Sequence, residues 1–156
     1  MRRPVAAAPT WESTTMVGTA DPEGWATSQL AGIAAGSARL HSRTRLTAVQ
    51  WPGDVERAAR VAAVLVDIAV RHGGTVRVPM RLAVIGTGEL LIEAADSVPT
   101  FPGYAETLAW EPAEPERRRP GLWQARHFGA TLAYAATGDG TGRTVQAVLT
   151  PAEVSS

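Results

Sequence analysis

Few residues of this chain have the type and spacing that chemistry requires, and Asp96 is the first of them. It closes the apolar run Leu90-Leu91-Ile92-Glu93-Ala94-Ala95. A carboxylate at the end of a buried strand can accept hydrogen bonds from an exocyclic amine, although an aspartate opening a Pro-containing turn is equally ordinary turn chemistry. Arg117, Arg118 and Arg119 form the densest charge run. Guanidinium groups pair with carboxylates or phosphates through parallel hydrogen bonds, yet a charge run in a loop is more often simply solvated. His41, His72 and His127 lack the spacing of metal ligands, no Gly-x-Ser-x-Gly occurs, and no pair of carboxylates stands apart from the surface. The five residues Gly138-Asp139-Gly140-Thr141-Gly142 resemble a dinucleotide fingerprint only superficially. They lead into a strand pattern rather than a helix, which is hairpin chemistry.

The element that must position these groups is the stretch 52–74. Asp54 sits where an N-cap belongs, Glu56 lies in the first turn, and Arg71 and His72 precede Gly73-Gly74, so both ends of a helix are chemically marked. Val55, Ala59, Ala62, Val66 and Ala69 recur at helical spacing, and Val61, Leu65 and Ile68 widen the apolar face to nearly half the circumference. After it, Val76, Val78, Met80, Leu82 and Val84 alternate as a strand, Gly86-Thr87-Gly88 turns the chain, and Leu90 to Ala94 return as a buried strand. Residues 121–128 read as a helix of two turns ended by Gly129. Residues 130–136 and 143–150 form a second hairpin.

The remaining stretches carry weaker patterns. Residues 1–22 read as a flexible arm with room for one short strand, 23–151 as a single domain and 152–156 as a frayed tail. Residues 23–40 suggest a helix weakened by Gly32 and Gly36, and 44–51 a short strand or an extended lead-in to the main helix. The Pro-, Glu- and Arg-rich segment 96–120 suits a surface lid with a short helix near Tyr104 to Trp110. The fold class expected is α+β: a two-layer sandwich with a mostly antiparallel, mixed sheet and its helices on one face.

Composition narrows the function classes. With 156 residues, the size prior gives one domain that buries roughly two-thirds of its unfolded surface. The 15 basic residues, all arginine, equal the 15 acidic ones, so net charge supplies no attraction to nucleic acid or to an anionic membrane. There is no cysteine, which excludes disulfides and thiolate metal sites, and there is no asparagine. No 18-residue apolar run and no signal sequence near Met1 is seen, so the expectation is a cytoplasmic, soluble protein. Arginine in place of lysine, with abundant Ala, Gly and Pro, suggests a GC-rich bacterial genome.

Four segments in this order, VLVDIAVRHGG, LLIEAADSVPTFP, RRRPGLWQARHFGATLAY and GDGTGRTVQAVL, resemble the histidine-kinase-like ATPase superfamily, also called the GHKL or Bergerat fold. The likeness spans residues 45–150 and points to the small actinobacterial anti-sigma-factor serine kinase type. It implies a Bergerat-like fold with ATP as ligand. On it, Asp96 takes the place of the aspartate that accepts a hydrogen bond from the adenine amino group. Thr144 takes that of a threonine reaching adenine through water. Gly121 and Leu122 match the end of a Gly-x-Gly-Leu motif whose main-chain N–H groups hold phosphate. The first glycine of that motif is missing, and Arg118 or Arg119 stands near its place.

The departures are as informative as the matches. The glutamate that activates water and the asparagine that helps hold Mg²⁺ in the family correspond here to Val64 and Ile68. Aliphatic side chains have neither lone pair nor titratable proton. Asp67 lies one residue, about 100°, away from Ile68 on a helix and so faces elsewhere. The sequence therefore points to a degenerate nucleotide domain, with ATP binding weakened or lost, Mg²⁺ not held and no catalytic residue. The expected role is regulation by binding another protein, of the sigma-factor or anti-sigma-antagonist kind, with a homodimer also in view. The alternatives are a cavity turned to another small molecule or reaction in specialised metabolism, and an active ATP-dependent serine kinase. Trp51, Phe101, Tyr104, Trp110, Trp123, Phe128 and Tyr134 would line such a cavity or fill a core.

Overall fold

Strand and helix follow the hydrophobic spacing in the order β1 (Pro9–Val17), α1 (Thr27–Ala48), α2 (Val55–His72), β2 (Val78–Ile85), β3 (Glu89–Asp96), α3 (Leu122–His127), β4 (Thr131–Ala136) and β5 (Arg143–Leu149). These elements come from a computed structural model, which describes residues 8–19, 23–73, 75–86, 88–97, 110, 121–136 and 140–151.

The centre is α2. The Asp54 side chain accepts a hydrogen bond from the Arg57 N–H at 3.0 Å, and the Gly73 N–H closes the last turn on the Ala69 carbonyl at 2.9 Å, so both ends expected from the sequence hold. From Val64 to Val70 every residue of α2 is buried. The helix packs against α1, against the sheet and against α3, which is why its apolar stripe closes to a full circle there. Truncating a side chain such as Leu65 in this layer would cost roughly 2–5 kcal/mol.

The five strands run in the order β1-β2-β3-β5-β4. All four pairings are antiparallel, so the described sheet is not the mixed one expected. The reason lies in α1 and α2. They form a helical hairpin that returns the chain to the end of the sheet at which β1 stopped, and β2 then has to run against β1. One face of the sheet, with Met80, Leu82, Ile92, Ala94, Val145 and Ala147, shares a core with Leu30, Leu46, Val61 and Leu65 of the helices. The opposite face buries a smaller cluster of Ala83, Ile85, Leu91 and Val148. Beside it, Arg81 ties three strands together through Glu12 at 2.8 Å and Glu93 at 2.9 Å. Burial works to lower the Arg81 pKa, but the bonds and charges of the two glutamates outweigh it and hold the guanidinium above its ordinary value. The two-layer α+β architecture read from the sequence is thus present.

Two stretches differ from their sequence reading. The arm over residues 1–22 contains the nine-residue β1, an edge strand paired with β2 along its length. Residues 44–48, read as strand or lead-in, are the last turn of α1. Beyond it the Gln50 N–H bonds the Thr47 carbonyl at 3.1 Å and the Trp51 N–H bonds the Leu46 carbonyl at 3.0 Å, while Gln50 adopts φ 55°. That is a Schellman helix end with glutamine where glycine is usual. The buried Trp51 then donates from Nε1 to the Gly88 carbonyl at 2.9 Å, tying this corner to the β2–β3 turn. The expected helix near 104–110, the arginine run 117–119 and the tail 152–156 lie outside the described residues, Trp110 excepted. Among the described residues no helix is long and apolar enough to cross a membrane.

Candidate functional site

Asp96 is the last residue of β3 and stands directly opposite Arg143, the first of β5. The Arg143 Nε donates to Asp96 Oδ2 at 2.6 Å, and the two side chains are 2% and 1% exposed. Two glycines make this closeness possible. A Cβ on Gly73 would lie 2.5 Å from Asp96 Oδ2, and one on Gly142 would run into the Asp96 main-chain carbonyl. The Ser97 N–H bonds the Gly73 carbonyl at 3.1 Å, which fastens the end of β3 to the end of α2. The carboxylate that the sequence presents as an acceptor for a ligand amine is therefore enclosed and engaged by a cation from the neighbouring strand. A charge-assisted bond of this geometry in a dry setting is strong, and displacing the guanidinium would leave a buried charge behind.

The other expected site residues lie apart from it. Thr144 faces Ala95 on β3 and Ala135 on β4. Strand alternation turns it to the face opposite Asp96 and Arg143. Gly121 precedes α3 in an extended conformation, and its N–H is taken by Gln124 Oε1 at 3.3 Å. Leu122 is fully buried in the helix–sheet core. The α2 positions Val64 and Ile68 are also buried, at 8% and 4% exposure. Asp67, expected to face away from Ile68, accepts from Arg71 Nε at 2.7 Å one turn along the same helix. His72 and His127 are exposed, and His127 meets the edge of Trp123 with ring centroids 6.2 Å apart. No group of three potential metal ligands occurs among the described residues.

Open space occurs both beside Asp96 and along α2. A cavity of about 210 Å³ reaches Asp96 from the β1–β2 side and is lined also by Met16, Thr75, Arg77, Pro79, Ala95 and Ser97. A separate cavity of about 340 Å³ lies between α1, α2 and α3, where Arg39 of α1, Arg60, Ala63 and Val64 of α2, and Gln124 and Phe128 of and beside α3 converge. It adjoins a third of about 230 Å³, which shares Arg60 and Phe128 and continues to Asp54, Glu56 and Arg57. Sequence reasoning missed Arg39, Arg60 and Gln124. Each occupies an ordinary polar position on its helix, and only the tertiary packing brings them together. Phe128 lines both of these cavities, away from Asp96, with the Arg60 guanidinium 5.9 Å from its ring centre. Glu56 borders this space and is gripped by Arg43, whose Nε and Nη2 each approach a carboxylate oxygen at 3.0 Å. That hydrogen bond, opposed by partial desolvation and aided by the charges of Arg43, Arg39 and Arg60, lowers the Glu56 pKa from its ordinary 4.5.

The sequence matches no model of a known protein family, and no curated protein is significantly similar to it.

Proposed function

We propose that this chain is a catalytically inert relative of the histidine-kinase-like ATPases that works as a regulator by binding another protein. The observation that carries the reading is the enclosed Asp96–Arg143 pair: the carboxylate that would have to meet adenine already holds a cation at 2.6 Å. Buried aliphatic side chains at Val64 and Ile68, where the resembled family has its water-activating and Mg²⁺-holding groups, point the same way. Such a chain keeps a scaffold and loses the reason to hold a nucleotide. The partner class that the resemblance implies is a sigma factor or the antagonist of an anti-sigma factor, and the chain itself is read as cytoplasmic. Homodimerisation belongs to the same proposal, since Ile33 and Leu40 on the outer side of α1 are 38% and 60% exposed.

The decisive experiment is calorimetric titration with ATP, with and without Mg²⁺, on the natural chain and on Asp96→Ala. No heat of binding is expected in any of the four titrations. Binding to the natural chain that disappears in Asp96→Ala would overturn the proposal and restore a nucleotide pocket. Phosphate transfer from labelled ATP to a co-purified partner would do so as well. Repeated pull-downs that retain no protein would remove the other half of the reading. A second reading, a cavity turned to another small molecule, draws on the space beside Val64 and is separated from the first by the competition described next.

A further inference from the structure

Among the described residues the arginines around the helical face are not balanced: Arg39, Arg43, Arg57 and Arg60 gather there against two carboxylates, Asp54 and Glu56. Glu56 is committed to Arg43 by the paired bonds already described. Asp54 caps α2 and has Arg57 Nε 3.9 Å away. Two cations are left over. Arg39 reaches Glu56 only at 3.8 Å, and its Nε is a buried donor with no hydrogen-bond partner. Arg60 makes no hydrogen bond or ion pair among the described residues and is held over Phe128 instead. Both surplus guanidinium groups line the same cavity, whose remaining walls are Ala63, Val64, Phe128 and the Gln124 side chain. A buried donor lacking a partner costs free energy that an arriving acceptor recovers.

The shape adds a second constraint. The two cavities share Arg60 and Phe128 in their walls and together flank α2 from Asp54 to Val64. Ten residues of helix rise about 15 Å, the reach of four or five residues of extended chain at about 3.3 Å each. A trough of that length, open to solvent, with Arg39 and Arg60 beside the apolar Ala63, Val64 and Phe128 at one end and Asp54, Glu56 and Arg57 at the other, fits a peptide better than a compact metabolite.

We propose that this trough is the docking site for an acidic, apolar-flanked segment of the protein partner, with one carboxylate received by Arg39 and Arg60 and a neighbouring Leu or Phe laid on Phe128, Ala63 and Val64. The assignment rests on the protein-binding reading above and names the chemistry of the partner. Arginine supplies the planar fork that a carboxylate matches, and the aromatic floor supplies the desolvated anchor on which interface energy concentrates. Charge complementarity also makes the encounter dependent on salt.

The test uses fluorescence anisotropy with the full chain and a panel of fluorescein-labelled seven-residue peptides, each carrying a central Glu-Leu, Glu-Phe, Asp-Leu or Asp-Phe pair between neutral residues. A matching panel has the acid replaced by its amide. At least one acidic peptide is expected to bind, its amide form at least tenfold more weakly. Arg39→Gln and Arg60→Gln, both at exposed side chains, are each expected to weaken it at least tenfold, whereas Arg77→Gln on the far side leaves it unchanged. Circular dichroism confirms that the variants are folded. No binding by any acidic peptide, or equal binding by the two trough variants, overturns the proposal. Full competition by 3-phenylpropionate at the peptide's own concentration also overturns it and assigns the trough to a small acid. The ATP titration judges the regulator reading separately. Silence with ATP and failure of the peptides removes the trough alone, while ATP binding lost in Asp96→Ala removes the regulator reading whatever the peptides do.

Discussion

Arg143 donates from Nε to Asp96 Oδ2 across a facing pair of β5 and β3, with both side chains shut away from solvent. Each partner stabilises the other in that place, since the desolvation of a lone charge there exceeds what packing returns. Arg143→Met alone is therefore expected to cost about 3–5 kcal/mol, and Asp96→Ala alone a comparable amount. The double variant Asp96→Ala/Arg143→Met should recover at least half of that, because it leaves no orphaned charge. Urea denaturation of the three variants measures this. A double variant as unstable as the sum of the singles would mean that the residues act independently.

Glycines on the same chain should respond in opposite directions. Gly73→Ala places a methyl group 2.5 Å from the Asp96 carboxylate, and Gly142→Ala drives one into the Asp96 carbonyl. Overpacking of this sort costs about 1–3 kcal/mol. Gly32 and Gly36 of α1 have open space where a Cβ would go, so Gly32→Ala and Gly36→Ala should each stabilise by up to about 1 kcal/mol through helix propensity. For a chain of this size that raises the melting temperature by about 2–4 °C per substitution. Thermal unfolding of the four single variants checks the sign. A fall in melting temperature for Gly32→Ala or Gly36→Ala would mean that something does cover the outer side of α1.

How much of this was legible in the sequence depends on whether an element's end carried its own chemical mark. The limits of α2 were marked by Asp54 and Gly73, and the end of α3 by Gly129, which indeed takes φ 90°. The end of α1 carries no such mark, because Gln50 takes the left-handed position in place of glycine, and its last turn reads as a short strand or an extended lead-in. β1, for which the sequence leaves room as one short strand, is weakly marked for a different reason: of its inward-turned Trp11, Ser13 and Thr15 two are polar and all are only half-buried, so alternation is present with little hydrophobic signal. The end of β3 at Asp96 was found. Its partner was not, since the pairing joins residues 47 apart and no local pattern encodes it. Thr144, which the resemblance relates to adenine, is the next residue along β5, and one residue in a strand is the opposite face.

That same helix end gives a prediction. A side chain at φ 55° is strained relative to glycine by about 1–2 kcal/mol, part of which glycine forfeits through its greater freedom in the unfolded chain. Gln50→Gly should therefore stabilise by about 0.5–1 kcal/mol, whereas Gln50→Val, branched at Cβ, should destabilise. Denaturant midpoints of the two variants at unchanged m-value decide it. Destabilisation by Gln50→Gly would show that the glutamine side chain contributes more than its backbone conformation costs.

The link between α1 and α2 should be sensitive to acid. Arg43 grips Glu56 through both oxygens and lowers its pKa below 4.5 in the folded chain. A carboxylate whose folded pKa is depressed contributes stability that is complete above the unfolded value and disappears as pH falls through the folded one. Stability attributable to Glu56 should thus be constant from pH 7 down to about 5 and decline only below about 4.5, once protons compete with Arg43. The comparison is natural chain against Glu56→Gln, by thermal unfolding from pH 7 to pH 3 at low and at high salt. The gap should be small throughout, because the pair is half-exposed, and should close at the acid end and shrink with salt. A gap of equal size at pH 3 and pH 6 would assign the effect of the substitution to packing rather than charge. It would also release Arg43 as a third unbalanced cation beside Arg39 and Arg60.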